Sequence, residues 1–144
     1  MKRCNALCAA TVVAILGIVF IAQAQRPESS DDRAVREALD KWRSALNNED
    51  LATLLATLSD DAVIDSSAAG RKVDKKDYKE VMKFVMDGHY TGKFTIKDPK
   101  VTLPDSTHAT AEGTLDRNGV ARKHRWNVEK RTGKWLIVGT EYLK

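Results

Sequence analysis

His124 is the side chain of this sequence best suited to acid–base chemistry. It lies in the stretch RKHRWNVEK, where a β-strand would place every second residue on the same face. His124 then shares a face with Trp126 and Val128, whereas Lys123 and Arg125 lie on the opposite, wet face. A histidine in an apolar pocket can act as a general acid or base near neutral pH. The simpler interpretation, which we favour, is a strand-end histidine with satisfied hydrogen bonds, because sequence spacing offers it no catalytic partner.

The other histidines do not form a metal-binding pattern. His89 follows a helical segment in a Gly-His-Tyr loop, and His108 begins a strand on the phase of its polar face. Metal sites commonly repeat histidine at i, i+4 or as His-x-His, and neither spacing occurs here. We therefore predict that the protein has no metal site and no cofactor.

Basic residues are concentrated on one side of a helical segment and on one strand. They are Lys72, Lys76, Lys79 and Lys83 on the helical segment, and Arg122, Lys123 and Arg125 on the strand. One interpretation is a contact with an anionic ligand or with a membrane surface. The other, which we favour, is a solvated face, because Asp77 and Glu80 are interspersed among the lysines.

The start of the chain predicts export. Lys2 and Arg3 precede an apolar run from Ala9 to Ile21. Ala22-Gln23-Ala24 follows as the small-x-small pattern that signal peptidase cleaves. These features together are typical of a secretory signal peptide over residues 1–24.

Cleavage there would leave a polar leader over residues 25–31, which we expect to be disordered, and one domain over residues 32–144. The alternative is an uncleaved membrane anchor, because the apolar stretch 6–24 is nearly long enough to span a bilayer. Both interpretations place the domain outside the cytoplasm, either periplasmic or secreted. After cleavage we expect no stable membrane contact.

Cysteine usage and charge narrow the classes of function. Cys4 and Cys8 both lie in the predicted signal segment, so the mature chain has no disulfide and no thiol chemistry. Cleavage removes two of the 24 basic residues and none of the 20 acidic ones, which lowers the net charge from +4 to about +2. This near balance does not indicate a nucleic-acid partner.

Hydrophobic periodicity predicts three helices followed by strands. Apolar residues recur at steps of three and four over 35–46, 51–58 and 78–85, as in amphipathic helices. Beyond these helices, Asn118-Gly119 is a strong hairpin signal, and Pro99 indicates a bend, bulge or edge in its strand. The pattern predicts an α+β domain with three helices packed on an antiparallel meander.

Three stretches resemble nuclear transport factor 2-like domains of the SnoaL-like and ketosteroid-isomerase-like branch. They are LNNEDLATLLATLSDDAVID, GRKVDKKDYKEVMKFV and VEKRTGKWLIVGTEY, and the resemblance covers residues 32–144. It implies the cone-shaped, cystatin-like fold, in which a curved antiparallel sheet wraps three helices around a mainly apolar pocket. On that fold we expect the pocket to be lined by Trp42, Tyr78, Ser66 and Trp126.

The resemblance also bears on the possible roles of Asp65 and Ser66. In the steroid isomerase branch, a catalytic aspartate lies five positions after the second aspartate of the Asp-Asp-Ala turn, and Ser66 occupies that position here. Asp65 is one residue earlier, and one residue along a strand turns a side chain to the other face. We expect Asp65 to be structural or solvent-facing, with a role as general base as the alternative.

Two functions from different classes follow, because this family contains both enzymes and modules without chemistry. The one that we favour is an exported, non-catalytic domain that binds a small apolar ligand or acts as an accessory protein. The alternative is an isomerase, dehydratase or cyclase that uses His124 or Asp65 as general base. Such an enzyme needs a donor for a developing oxyanion, for which Tyr78 and Tyr90 are candidates. In either case we expect the polar face of the sheet to be exposed or to form a homodimer interface.

Overall fold

Three helices and six strands make up the part of the chain that the structure, a computed structural model, describes, residues 28–89 and 91–144. The helices are α1 (Ser30–Asn47), α2 (Leu51–Ala56) and α3 (Lys75–Asp87). The strands are β1 (Leu58–Ser66), β2 (Arg71–Asp74), β3 (Phe94–Thr102), β4 (His108–Arg117), β5 (Val120–Arg131) and β6 (Lys134–Tyr142). The predicted signal segment 1–24, residues 25–27 of the predicted leader and Tyr90 lie outside the described residues.

Each helix is capped at its N-terminus by a nearby side chain. In all three, a side chain accepts a hydrogen bond from the backbone N–H three residues further on. The caps are Ser29 for α1 (3.0 Å), Asp50 for α2 (2.9 Å) and Asp74 for α3 (2.8 Å). Helix α1 begins at Ser30, so the last residues of the predicted leader, 30 and 31, form part of its first turn.

The six strands form one sheet in the order β2-β1-β6-β5-β4-β3. The α+β architecture predicted from the sequence is confirmed, with one correction to its sheet. Strands β1 and β6 run parallel, with Ile64 opposite Thr140, so the curved sheet is mixed rather than wholly antiparallel. A parallel pair requires a long connection between its strands, and here that connection is the whole segment from β2 to β5.

The first two strands also differ from the sequence prediction. Strand β1 begins at Leu58, which the helical spacing over 51–58 placed in the second helix, and its pairing with β6 shifts in register between Leu58 and Val63. This irregular stretch keeps Asp60 and Asp61 exposed. Strand β2 was not predicted, because it has only four residues, of which only one is buried.

The predicted interruption at Pro99 is confirmed. Strand β3 lies at the edge of the sheet, and its pairing with β4 shifts in register between Lys97 and Lys100. The bulge lies against Gly113 of β4, where a Cβ atom would come within 2.9 Å of the Lys97 carbonyl oxygen. The absence of a side chain at Gly113 therefore allows the bulged strand to approach.

The helices cover the inner face of the sheet, and the core lies between these two layers. On β5, His124, Trp126 and Val128 are buried on the inner face, as their alternation predicts. The outer face is charged. There Arg125 donates hydrogen bonds to Glu112 at 2.7 Å and to Glu141 at 2.6 Å.

Candidate functional site

A cavity of about 50 Å³ lies between helices α1 and α3 and the inner face of the sheet. Most of its lining is apolar and includes Leu46, Ile64, Met82, Val85 and Leu115. His124 on β5 and Asp65 at the end of β1 also line it. The two candidate bases from the sequence analysis therefore border the same space.

Three of the four expected lining residues contribute to this cavity. Trp42, Tyr78 and Ser66 line it, and each is buried. Burial raises the pKa of the Tyr78 hydroxyl well above its usual value, so this group stays protonated. The Ser66 hydroxyl accepts the Ala69 backbone N–H at 3.2 Å and so stabilises the turn after β1.

Trp126 is the exception, and the expectation that it lines the cavity is wrong. It lies on the inner face as predicted, but it is fully buried one layer deeper, edge-on to His124 with ring centres 4.5 Å apart. The alternation of the strand identifies a face of the sheet but not the depth of a side chain behind its neighbours.

His124 is buried in an aromatic cluster. Its ring stacks on Trp42 at 6.4 Å between centres and meets the ring of Tyr142 edge-on at 4.7 Å. Only 2% of the residue is exposed, and neither ring nitrogen has a hydrogen-bond partner among the described residues. The structure therefore does not show the histidine with satisfied hydrogen bonds that we expected.

Burial determines the protonation of His124. Desolvation lowers the pKa of the imidazole from its ordinary 6.5 to about 4, and the negative charge of Asp65 opposes this shift only in part. The ring is consequently neutral at physiological pH, with one nitrogen as a donor and the other as an acceptor.

The carboxylate of Asp65 bonds to the backbone of β6. Its Oδ2 accepts the N–H of Tyr142 at 3.1 Å, while its own N–H donates to the Thr140 hydroxyl at 3.2 Å. Along β1, Ile64 and Ser66 are buried and Asp65 is only half-buried, in agreement with the predicted alternation. These contacts give Asp65 a structural role at the parallel β1–β6 pair.

Two arginines flank the opening of the cavity. A wider depression of about 330 Å³ adjoins it and shares Phe94, Arg117 and Tyr142 with its lining. The guanidinium of Arg117 lies 5.6 Å from the ring centre of Phe94, and that of Arg122 lies 5.6 Å from the ring centre of Tyr142. Arg122 was one of the basic residues for which we favoured a solvated face. Its inward-facing position could have been predicted from the sequence, because Arg122 has the same strand phase as His124.

Comparison with models of known protein families shows the family of this chain. The model of the SnoaL-like domain matches residues 35–138, which is most of the chain. The chain belongs to the SnoaL-like domain family. This confirms the resemblance drawn from the three sequence stretches. Comparison with curated proteins gave no match.

Solved structures share the fold of this SnoaL-like domain. A cystatin-like protein of unknown function from Nostoc punctiforme aligns with a TM-score of 0.66 at 18% identity, over 79% of this chain and 91% of that one. An NTF-2 like protein of unknown function from Shewanella oneidensis gives 0.65 at 18% identity, over 78% and 98%. A ketosteroid isomerase-like protein from Erwinia carotovora gives 0.59 at 22% identity, over 81% and 98%. Identities this low establish the fold and leave the function open.

Two further findings concern the SnoaL-like domain within residues 28–89 and 91–144. No group of three or more histidine, cysteine, aspartate or glutamate side chains there is arranged to hold a metal ion. No helix in this part of the chain has the length and apolarity needed to cross a membrane.

The protonation and contacts of His124 and Asp65 bear on what the cavity could do chemically. A general base works best when its pKa lies near the working pH, and that of His124 lies at about 4. The Asp65 carboxylate is already bonded to a backbone amide. The neutral His124 ring has one donor and one acceptor nitrogen, and neither has a partner among the described residues.

Proposed function

We propose that this SnoaL-like domain is an exported, non-catalytic module that binds a small, mainly apolar ligand in the cavity beside His124. One observation carries the proposal: both ring nitrogens of His124 are buried, and neither has a partner among the described residues. Buried polar groups in proteins are nearly always paired, and an unpaired one costs about 1–3 kcal/mol. A ligand that places a hydroxyl or carbonyl group against this ring would remove that cost.

The rest of the lining supports the apolar part of the ligand. Leu46, Met82 and Val85 from the helices face Ile64 and Leu115 from the sheet. Transfer of apolar surface from water to such a lining is favourable by roughly 25 cal/mol per Å². We therefore expect affinity from the apolar body of the ligand and orientation from His124.

The enzymatic alternative is less well supported. An isomerase, dehydratase or cyclase would need His124 or Asp65 as a base near neutral pH. The low pKa of His124 makes it a weak base, and Asp65 holds the β1–β6 pair. The proposed export rests on the sequence pattern of residues 1–24 alone.

Native mass spectrometry of the full chain, purified from the cells that produce it, tests the proposed function. Ala68 is exposed and lines the cavity, so Ala68→Phe should block it without disturbing the core. Ala121→Phe, at an exposed position of β5 on the phase of the outer face, is the matched control. We expect the wild type and Ala121→Phe to retain a small molecule that Ala68→Phe loses. Wild-type protein without a bound molecule, or equal retention by both variants, would contradict the proposal.

A further inference from the structure

The inner face of the β4–β5 hairpin changes from apolar to cationic toward its tip. The pairs along it run from Ala111 with Trp126, through Leu115 with Arg122, to Arg117 with Val120. Pairs that face inward recur every two residues along each strand, because side chains alternate between the two faces of a sheet. Two guanidinium groups therefore lie near the opening of a cavity whose inner lining is mainly apolar.

Both arginines lie over aromatic rings. Each guanidinium carbon lies 5.6 Å from a ring centre, over Phe94 for Arg117 and over Tyr142 for Arg122. Stacking uses the flat face of a guanidinium, while its N–H donors lie in the plane of the group. The exposed Arg122 can thus stack on Tyr142 and still direct a pair of donors toward a ligand.

The lining of the cavity and of the adjoining depression carries more positive than negative charge. Among the described residues that line the cavity and the adjoining depression, the charged groups are Asp65, Arg117 and Arg122, because His124 is neutral. Their sum is one positive charge. An anionic head group is therefore favoured over a neutral or cationic one at this opening.

We infer that the ligand is an amphipathic monocarboxylate, whose head group binds at Arg122 and Arg117 while its apolar body enters the cavity toward His124. This inference rests on the proposed function and names its ligand class. Arg122 supplies the hydrogen bonds to the carboxylate in the bidentate geometry that guanidinium favours. Arg117 contributes its charge at the boundary between the depression and the cavity.

The test compares two probes that differ only at one end, ω-hydroxyoctanoate and octane-α,ω-diol, by calorimetric titration of the full chain. Both carry a hydroxyl group at one end, but only the first carries a carboxylate at the other. Arg122→Gln removes the proposed head-group contact. Lys123→Gln removes the same charge one residue later, from the exposed outer face of the strand, and is the matched control.

We expect the wild type to bind ω-hydroxyoctanoate roughly tenfold more tightly than the diol, as for a hydrogen bond to a charged group. Arg122→Gln should strongly reduce that preference, because only the charge of Arg117 then remains, and Lys123→Gln should preserve it. Equal affinity of the wild type for both probes would overturn the inferred ligand class and leave the proposed binding function standing. Equal losses in the two variants would overturn the role of Arg122. Failure of the wild type to bind either probe would overturn this inference, while the molecule retained in mass spectrometry would still decide the proposed function.

Discussion

Trp42 and His124 stack across the cavity, with ring centres 6.4 Å apart and planes inclined by 20°. Trp42 comes from α1, the first helix of the described chain, and His124 comes from β5, so this contact joins the helical layer to the sheet. Trp42 is 4% exposed and also packs edge-on to Trp126 at 6.0 Å. The same indole ring therefore belongs to the core and to the lining of the proposed ligand site.

Trp42→Ala should destabilise the domain strongly. Truncation of a buried aromatic side chain removes its packing and leaves a cavity, at a cost on the order of 3–5 kcal/mol. Trp42→Phe, which keeps an aromatic ring in place, should lose less than half of that. Urea denaturation followed by circular dichroism measures both values. A loss below about 1 kcal/mol for the alanine variant would mean that Trp42 contributes to the cavity alone and not to the core.

Asp65→Ala should destabilise the β1–β6 pair, because the Tyr142 backbone N–H would lose its carboxylate acceptor. An unpaired, partly buried amide costs about 1–3 kcal/mol. Asp65→Asn keeps an acceptor oxygen at the same place and should retain most of the stability. Thermal and urea unfolding of the two variants, side by side, test this. Equal stability of the alanine variant and the wild type would remove the structural role that we assign to Asp65.

His124 should make the stability of the domain dependent on pH. Its pKa is about 4 in the folded protein and near the ordinary 6.5 in the unfolded chain, so between these values the unfolded state binds more protons. Stability is therefore complete above about pH 6.5 and decreases as the pH falls toward 4. The expected contribution is on the order of 3 kcal/mol.

The free energy of unfolding of the wild type and of His124→Phe, measured by urea titration from pH 4 to 7.5, isolates this effect. Other groups titrate in both proteins, so the difference between the two curves reports His124 alone. We expect that difference to change with pH in favour of the phenylalanine variant on the acidic side. Parallel curves would show that His124 has the same pKa in both states.

Gly113→Ala should weaken the edge of the sheet. The new Cβ atom would come within 2.9 Å of the Lys97 carbonyl oxygen and 3.3 Å of the Pro99 Cα atom, both of which are backbone atoms of the β3 bulge. Because backbone atoms cannot move aside as a flexible side chain can, we expect a loss of roughly 1–3 kcal/mol. Thr114→Ala, at the next residue of β4, should cost clearly less. Urea denaturation of both variants tests this prediction. Equal losses of stability in the two variants would contradict it.

Features that depend on residues a few positions apart could be predicted from the sequence. Helical spacing, the Asn-Gly hairpin and the interruption at Pro99 all correspond to structure. The inward face of His124 followed from alternation along a single strand. In each case the deciding interaction lies within one element or one turn, so the local sequence contains it.

Only the tertiary structure decided what the site residues contact. Asp65 bonds to Tyr142, which lies 77 positions further along the chain, through a parallel strand pair that local patterns do not encode. Arg122 and His124 lie on the same face of β5. Arg122 is exposed, whereas His124 is buried without a hydrogen-bond partner among the described residues. Alternation along a strand selects a face of the sheet. Depth, partner and pKa depend on the helices that cover that face, and on how far along the strand they reach.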